Sequence, residues 1–180
     1  MRITGGTLKG RIINVPKGII RPSMDRMRES IFACLGDITG LSFLDIFSGS
    51  GIIALEAASR GAARVEAVEQ DKLKGTTLLQ NVSISPIRIN CRFMSAELFV
   101  KRAANKEPFD IIFLDPPFPY RFKWELVTNI ASCGLVKNGS KLIIHRPKED
   151  HPSTEIQFLE KTDTREYGRS FVDFFTTVGK

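Results

Sequence analysis

The sequence has few of the residues from which disulfide frameworks and metal centres are built. Its three cysteines, Cys34, Cys91 and Cys133, are far apart and odd in number, and its two histidines are His145 and His151. We therefore expect no disulfide scaffold and no metal site, and the cysteines are predicted to be buried thiols in a reducing compartment. The sequence also lacks a run of eighteen apolar residues and an apolar signal core, which predicts a cytoplasmic protein without membrane contact.

The excess of basic residues is confined to one end of the chain. The 180 residues include 26 Lys and Arg against 20 Asp and Glu, and the whole net charge of +6 lies within residues 1–28. Charge concentrated in one segment of an otherwise balanced chain favours an anionic partner, usually nucleic acid. The charge alone leaves a solvated basic arm without a partner as an alternative.

From residue 42 onward, short apolar runs alternate with segments of helical periodicity. The runs predict strands at residues 43–47, 63–68, 87–93, 109–114 and 141–144, and the segments between them predict helices at residues 52–59, 72–82, 96–104 and 122–132. Almost continuously apolar strands that alternate with helices indicate a parallel sheet covered on both faces. Two last runs, at residues 156–165 and 170–178, predict an antiparallel hairpin that closes the sheet. The predicted class is α/β with a doubly wound sheet, which binds ligands at the carboxyl ends of its parallel strands.

The segment before this alternation predicts a small hairpin and one helix. Residues 2–4 and 11–15 are predicted to form two short strands joined by a glycine-rich connection. Residues 26–35 have apolar side chains at four-residue spacing, which predicts a helix. No repeat or linker divides the sequence.

A strand, two glycines and a helix start follow one another at residues 44–54. Gly49, Gly51 and Ala54 satisfy the loose dinucleotide-binding pattern Gly-x-Gly-x-x-Ala. Glycines let the backbone turn tightly and let a ligand lie against it. Glu69 ends the second predicted strand, where a carboxylate can accept hydrogen bonds from both hydroxyls of a ribose. This pattern fits a nicotinamide cofactor or S-adenosylmethionine.

Asp45 helps to separate these two cofactors. It precedes the glycines near the end of the first predicted strand. A carboxylate there would repel a pyrophosphate and attract the ammonium and sulfonium groups of S-adenosylmethionine, which is therefore favoured. Two alternatives stay open: Asp45 only caps the following turn, and Glu69 is a solvated carboxylate at a strand end.

The segment Asp115-Pro116-Pro117-Phe118 follows the fourth predicted strand directly. Two consecutive prolines fix φ and remove two backbone donors, so this loop is stiff and has carbonyl groups to spare. The Asp115 carboxylate and the Pro116 carbonyl can accept both hydrogens of an exocyclic amine on a base, which favours a pyramidal nitrogen with its lone pair towards a methyl donor. Stacking of the base on Phe118 would contribute about 1–3 kcal/mol. The loop predicts an amino methyltransferase; the alternative is a proline turn with an ordinary surface aromatic.

Several motifs together are particular to one family. They are Met1-Arg2-Ile3-Thr4-Gly5-Gly6 with Lys9-Gly10-Arg11, then Arg21-Pro22-Ser23-Met24-Asp25-Arg26-Met27-Arg28-Glu29, Leu44-Asp45-Ile46-Phe47-Ser48-Gly49-Ser50-Gly51, Glu56-Ala57-Ala58-Ser59-Arg60-Gly61, and Phe113-Leu114-Asp115-Pro116-Pro117-Phe118. With these motifs nearly the whole chain resembles the RsmD-type methyltransferases, which methylate the N2 amino group of a guanine in small-subunit (16S) ribosomal RNA.

The resemblance implies a class I S-adenosylmethionine-dependent methyltransferase fold, Rossmann-like and seven-stranded, in a single domain. Residues 1–22 would be a basic hairpin extension and residues 23–180 the catalytic core. The residues implied to hold the cofactor are Asp45, Phe47, Gly49, Gly51, Glu69, Ser95 and Asp115, and those implied to hold the guanine are Asp115, Pro116, Pro117 and Phe118. The residues implied to grip RNA phosphates are Arg2, Lys9, Arg11, Arg21, Arg26 and Arg28. The implied partner is 16S ribosomal RNA, within the small subunit or an assembly intermediate of it, and we expect a monomer.

Three positions depart from the pattern of this family. Ser95 stands where an Asp commonly binds the adenine amino group, although a hydroxyl can still accept a hydrogen bond. Phe118 replaces a frequent Tyr, and Ile144-His145 replaces the usual Glu-His pair. We assign His145 no catalytic role, because a lone histidine at a strand end is more often structural.

The leading hypothesis is direct methyl transfer to guanine N2, with S-adenosylhomocysteine as the product. An amino methyltransferase for adenine or cytosine in DNA or RNA fits the proline segment equally well, and only residues 21–29 favour the ribosomal family. An RNA-binding assembly factor that has lost catalysis is a third hypothesis, with Ser95 alone in its favour. A nicotinamide dehydrogenase is least expected, because Asp45 and the proline segment would have no purpose in it.

Overall fold

The computed structural model describes residues 1–16, 25–104, 106–152 and 155–180. Within these ranges the chain forms five helices and a mixed sheet of seven strands that ends in an antiparallel hairpin, so the predicted α/β class is confirmed. The chain divides into two compact units, Met1–Met94 and Ser95–Lys180. The prediction of a single domain with an extension ending at residue 22 stays a prediction, since that boundary lies outside the described residues.

The first unit alternates helices and parallel strands. Its elements are α1 (Asp25–Leu35), β1 (Ser42–Ile46), α2 (Ile52–Ser59), β2 (Arg64–Val68), α3 (Lys72–Val82) and β3 (Ile89–Arg92). The strands β1 and β2 pair in parallel, and β3 pairs in parallel with the other edge of β2. All eight residues of α2 are buried, because this helix is apolar on most sides and carries its few polar groups into hydrogen bonds.

The amino-terminal arm, residues 1–16, forms less sheet than predicted. Its two halves are joined by one antiparallel bridge, between Arg2 and Ile12, and by backbone hydrogen bonds on either side of it, from Ile3 to the Arg11 carbonyl at 2.9 Å and from Ile13 to the Met1 carbonyl at 2.8 Å. Other backbone amides of the arm donate hydrogen bonds to α2. The Thr7 amide donates to the Ser59 carbonyl at 2.8 Å, and the Leu8 amide donates to the Ser59 hydroxyl at 2.8 Å. The predicted pairing of the two halves is therefore present in a short form, and hydrogen bonds to a buried helix add to it.

The second unit ends in long antiparallel strands. Its elements are α4 (Ala96–Ala103), β4 (Phe109–Leu114), α5 (Lys123–Ser132), β5 (Val136–Pro147), β6 (Leu159–Tyr167) and β7 (Ser170–Thr177). β4 and β5 pair in parallel, whereas β7 lies antiparallel between β5 and β6. A buried ion pair between Arg146 on β5 and Asp173 on β7 joins these two strands. Burial alone raises the pKa of the Asp173 carboxyl, but hydrogen bonds from Arg146 and Thr164 outweigh burial and hold that pKa below its ordinary value.

Most predicted elements agree with the structure to within two residues, and β5 is the main exception. Its predicted span, residues 141–144, is the centre of a strand that runs from Val136 to Pro147. The strand is longer because pairing with β7 continues to Pro147, opposite Ser170. His145 therefore lies inside a paired strand and not at its end.

The structure bears on two predictions made from composition, the burial of the cysteines and the lack of membrane-spanning helices. Cys34 is exposed, and Cys91 and Cys133 are half-buried, so the prediction of buried thiols is wrong for Cys34. Burial, with a smaller contribution from the charge of Asp45, raises the pKa of the Cys91 thiol. Among the helices of the described ranges, none is long and apolar enough to cross a membrane.

Candidate functional site

The glycine loop, residues 47–51, joins β1 to α2 through three residues with positive φ. Phe47, Gly49 and Gly51 have φ values of 65°, 56° and 81°. Glycine adopts this conformation freely, whereas Phe47 adopts it at a cost in backbone strain, and such strain is typical of ligand-binding turns. A Cβ on Gly51 would lie 2.6 Å from Leu78 Cδ1, whereas a Cβ on Gly49 would have one described neighbour, the Phe47 carbonyl oxygen at 4.0 Å. The backbone at Gly49 is therefore approachable, and Gly51 is needed for the packing of α3.

Asp45, on β1, makes capping hydrogen bonds at the start of α2. It is only 1% exposed, and its Oδ2 accepts hydrogen bonds from the Ser48 hydroxyl at 2.6 Å and from the Ala54 amide at 3.2 Å. These bonds correspond to the turn-capping alternative. The predicted contact of Asp45 with the cationic end of a cofactor stays a prediction.

Glu69 follows β2 and holds the glycine loop. It is 6% exposed, which excludes the alternative of a solvated strand-end carboxylate. Its Oε2 accepts a hydrogen bond from the Gly49 amide at 2.8 Å, and its Oε1 accepts one from the Asp71 amide at 2.8 Å. Because a carboxylate oxygen has two lone pairs, each oxygen can accept one more donor, as a ribose diol would require.

One buried amide joins the glycine loop to the amino-terminal arm. Asn81, on α3, donates from Nδ2 to the carbonyl oxygens of Ser50 and Asn14, each at 2.9 Å. Its Oδ1 accepts a hydrogen bond from the Asn14 amide at 2.9 Å. The side chain therefore satisfies backbone groups of both segments at once.

A second buried side chain, Glu56 on α2, anchors the start of the arm. Its Oε1 accepts hydrogen bonds from the amide and the hydroxyl of Thr4, at 2.6 and 2.8 Å, and lies 3.4 Å from Arg28 Nε. Its Oε2 accepts a hydrogen bond from Arg60 Nε at 3.2 Å. Sequence reasoning did not single out Glu56, because an acidic residue inside a short apolar helix gives no signal of its partners.

The predicted RNA-binding residues have different surroundings. Arg2, Lys9, Arg11 and Arg26 are exposed, and Arg21 lies outside the described residues. Arg28 is a correction: its side chain is fully buried, and its guanidinium donates to Asp25 at 2.6 Å and to the Arg2 carbonyl at 2.6 Å as well as facing Glu56. A guanidinium committed to these partners holds α1 and the arm together and is not presented to a phosphate.

The proline loop, residues 115–118, follows the buried end of β4. Pro116 is buried and Pro117 is exposed. The Pro117 carbonyl accepts a hydrogen bond from the Tyr120 amide at 2.8 Å, which closes a turn after the loop. The Asp115 side chain is 23% exposed, and Phe118 is half-buried. The carboxylate and the ring are therefore both reachable from solvent on a stiff backbone.

The turn after the proline loop is fastened to α4. The Tyr120 hydroxyl donates to the carboxylate of Glu97, in the first turn of that helix. Burial and this hydrogen bond raise the pKa of Tyr120 well above its ordinary value. Burial alone raises the pKa of Glu97, but hydrogen bonds led by the one from Tyr120 hold it below its ordinary value. Tyr120 therefore stays a neutral donor, and Glu97 stays a charged acceptor.

His145, on β5, contacts both ends of the proline loop. Its Nδ1 lies 2.8 Å from Asp115 Oδ1, and its ring packs against that of Phe118 in a T-shaped arrangement with centroids 5.5 Å apart. Its Nε2 lies 2.8 Å from the Ser170 hydroxyl on β7. Sequence reasoning gave His145 no role in the site. The signal that could have pointed to it is the pair Ile144-His145, which keeps the histidine of the Glu-His pair usual in the family.

The sequence matches the family model described as Conserved hypothetical protein 95 over residues 1–176. It is 37% identical over 152 residues to Ribosomal RNA small subunit methyltransferase D of Escherichia coli strain K12, a match that covers 83% of this chain and 76% of the relative. The chain belongs to this family. The recognition of an RsmD-type sequence is therefore confirmed.

Solved structures agree with the assignment to the RsmD family. The Escherichia coli protein yhhF superposes with a TM-score of 0.88 at 27% identity, covering 98% of this chain and 97% of that one. The methyltransferase SMU.776, solved in complex with SAH, has a TM-score of 0.67 at 14% identity and covers 85% of this chain and 49% of that one. At that identity SMU.776 shows the fold alone, which is the class I methyltransferase fold that the sequence predicts.

Ser95, one of the three departures from the RsmD pattern, caps α4. Its hydroxyl accepts a hydrogen bond from the Leu98 amide at 3.2 Å, which is the usual role of a serine at a helix start. Its predicted contact with adenine stays a prediction. Within the described ranges, no three His, Cys, Asp or Glu side chains are grouped as a metal ion would require.

Proposed function

We propose that this chain transfers a methyl group from S-adenosylmethionine to the exocyclic N2 amine of a guanine in small-subunit ribosomal RNA. Membership of the RsmD family supports a methyltransferase, and the name of the Escherichia coli relative supports ribosomal RNA as the substrate. The observation that carries the proposal is the proline loop. It presents a carboxylate, a carbonyl and an aromatic ring on a backbone with two fixed φ angles.

The glycine loop and Glu69 fit the adenosine part of the cofactor. The approachable backbone at Gly49 would lie against the ligand, and the buried carboxylate of Glu69 would accept the two ribose hydroxyls while it keeps its amide donors. Phe47, Gly51 and Ser95 are proposed to line the same ligand, and Asp45 and Asp115 to face its cationic end. These two negatively charged carboxylates suit a sulfonium and an ammonium better than a pyrophosphate.

The proline loop would bind and orient the guanine amine. The Asp115 carboxylate and the Pro116 carbonyl accept its two hydrogens, and within the described residues no donor is bonded to the Pro116 carbonyl. Phe118 stacks on the base, and Pro117 keeps the backbone rigid. Two acceptors on one rigid turn draw the nitrogen out of conjugation with the ring and fix the direction of its lone pair.

The residues of the proline loop act by positioning. S-adenosylmethionine supplies, when bound, an already activated methyl group, so the protein has to hold the acceptor nitrogen in line and exclude water. The lone pair of the nitrogen would form the bond to the methyl carbon, the electron pair of the carbon–sulfur bond would stay on sulfur in S-adenosylhomocysteine, and the proton lost by the nitrogen would pass to solvent. No covalent bond to the enzyme is needed.

The exposed basic residues of the first unit would hold the RNA. Arg2, Lys9, Arg11 and Arg26, with Arg21, are proposed to contact phosphates of 16S ribosomal RNA, in the small subunit or an assembly intermediate. Such contacts position RNA without reading its sequence. We propose that the enzyme acts as a monomer in the cytoplasm and uses no metal.

The test is methylation of small ribosomal subunits that lack the modification. The protein is incubated with labelled S-adenosylmethionine and these subunits, and the RNA is digested to nucleosides. We expect N2-methylguanosine. Methylated adenosine or cytidine would replace the guanine assignment, and absence of any methylated nucleoside would contradict the proposal.

The variant Asp115→Ala tests the role of the proline loop. Loss of a preorganised acceptor is expected to lower the rate at least about 100-fold. Asp163→Ala is the matched control, because this carboxylate lies on the hairpin strand β6 and pairs with Arg165. Full activity of Asp115→Ala would show that the carboxylate does not bind the amine.

A further inference from the structure

We infer that His145 is a positioning residue for methyl transfer, fixing the carboxylate of Asp115 and the ring of Phe118 in the orientations that the acceptor base requires. This inference rests on the proposed function of the proline loop. Three contacts carry it: the 2.8 Å contact of Nδ1 with Asp115 Oδ1, the T-shaped contact with Phe118, and the 2.8 Å contact of Nε2 with Ser170.

The direction of the hydrogen bond to Asp115 follows from the chemistry of its two partners. An ionised carboxylate only accepts hydrogen bonds, so Nδ1 of His145 must carry the proton and donate it. His145 is 8% exposed, so water has little access to its ring. The bond therefore restrains rotation of the Asp115 carboxylate.

Ser170 keeps the imidazole in place in both of its charge states. The Ser170 hydroxyl lies 2.8 Å from Nε2 and 3.0 Å from the Tyr167 carbonyl oxygen. When the ring is neutral, the hydroxyl donates to Nε2. When the ring is charged, Nε2 donates to the hydroxyl, which turns to donate to the Tyr167 carbonyl. In either state Nδ1 donates to Asp115, so the contact persists.

The origin of these side chains makes the arrangement rigid. His145 lies within β5 and Ser170 begins β7, and the two strands are paired in register from Lys141 opposite Thr176 to Pro147 opposite Ser170. Strands position a side chain more firmly than a loop does. The proline loop has to orient two hydrogen-bond acceptors and an aromatic ring. Contact with His145 on the paired strand β5 restrains these groups more firmly than the loop backbone alone would.

The Phe118 contact adds a second restraint on the same loop. The planes of the Phe118 and His145 rings are inclined by 66°. An edge-to-face contact of this kind is favourable and fixes the tilt of the phenyl ring. The same imidazole therefore restrains the polar and the aromatic contacts proposed for the guanine.

The experiment compares two substitutions of similar size. His145→Leu fills the space without a donor, and His145→Asn places an amide donor near the position of Nδ1. We expect His145→Leu to lower kcat about 10- to 100-fold, the range for misplacement of a reacting group. The KM for RNA and the Kd for S-adenosylmethionine should change by less than about twofold. His145→Asn should recover most of kcat, and Ser170→Ala should fall between the two.

His151→Leu is the matched control, because this histidine is exposed in the same unit. Thermal unfolding of each variant shows that it is folded. Equal losses of kcat in His145→Leu and His145→Asn, or unchanged kcat in His145→Leu, would overturn the inference while leaving the activity of the unsubstituted enzyme intact.

A measurement without turnover separates this inference from the proposed function. The Nδ1 proton of His145 should give a slowly exchanging, downfield resonance that is present in the unsubstituted protein and in His151→Leu, and absent in Asp115→Ala. If the protein methylates no RNA, this resonance still decides whether His145 holds Asp115. Its persistence in Asp115→Ala would contradict the inference.

Discussion

Asp45, near the end of β1, and Glu69, just after β2, make different hydrogen bonds to the backbone around them. Asp45 uses one oxygen for two bonds that cap a helix start, whereas Glu69 divides its bonds between two oxygens and keeps one lone pair on each. Both are almost fully buried. Because each Glu69 oxygen keeps a lone pair for a further donor, we expect substitution of Glu69 to lower the proposed cofactor affinity.

The substitution Glu69→Gln should weaken S-adenosylmethionine binding by about 10- to 100-fold. The amide replaces one acceptor by a donor, which then faces a backbone N–H group, and each hydrogen bond to a charged group contributes about 1.5–3 kcal/mol. Isothermal titration calorimetry measures the change. Glu66→Gln is the control, because Glu66 lies in β2 and pairs with Arg92 at 3.4 Å. Equal affinities for the two variants would remove Glu69 from the cofactor site.

The buried helix α2 depends on hydrogen-bond partners for its polar side chains. A helix buried on all sides must pair every polar side chain that it carries, and this one pairs Glu56 and Ser59 with the amino-terminal arm. The arm also has backbone hydrogen bonds of its own, such as that from the Ile3 amide to the Arg11 carbonyl at 2.9 Å, so the helix adds to its order. The fully buried Glu56 therefore helps to position the basic residues of the arm that are proposed to hold RNA.

The substitution Glu56→Ala should destabilise the protein by about 3 kcal/mol, the lower end of the range for breaking a buried ion pair. The lower end applies because Arg28 keeps Asp25 as a partner at 2.6 Å. Urea unfolding followed by circular dichroism measures the loss. Glu29→Ala, at an exposed position of α1, should change stability by less than about 0.5 kcal/mol. A Glu56→Ala protein as stable as this control would mean that the arm is held by other contacts.

Elements are predicted well where the signal is local. The bounds of α2, α3 and β4 coincide with those predicted, because Gly51, Asp71 and a continuous apolar run mark them within a few residues. The strand β5 is underestimated because its extension comes from a partner strand far along the chain, and Gly139, at a φ of 84°, interrupts the apolar pattern.

In the molecule as a whole, the net positive charge is concentrated in one segment. The net charge of +6 lies in residues 1–28, and of the five basic residues there that the structure describes, four are exposed. Binding to nucleic acid releases counterions in proportion to the phosphates contacted, so affinity should depend steeply on salt.

Replacing both Lys9 and Arg11 by Gln should reduce the slope of log affinity against log salt concentration by about 1.5, since each phosphate contact contributes about 0.7–0.9. Fluorescence anisotropy with a labelled ribosomal RNA fragment at several salt concentrations measures this slope. The control replaces Lys101 and Arg102, two exposed basic residues of α4, in the same way. A similar reduction in both double variants would mean that charge acts without regard to position.

The composition of the site is harder to predict from sequence than the fold. The proline and glycine loops are visible because their residues are contiguous, whereas the partners of His145 lie 30 and 25 residues away from it. A count of charges likewise includes Arg28 but cannot show that its guanidinium is buried among carboxylates. In both cases sequence reasoning missed contacts between residues that are far apart in the chain: those of His145 with Asp115 and Ser170, and that of Arg28 with Glu56.

The Asn81 side chain has a thermodynamic consequence. It bonds to Ser50 in the glycine loop and to Asn14 in the arm, so both segments share one set of hydrogen bonds. A ligand that binds the glycine loop and favours one orientation of the Asn81 amide would therefore also change the free energy of the conformations of the arm. Linkage then requires reciprocity: whatever factor the cofactor applies to the affinity for RNA, RNA applies to the affinity for the cofactor.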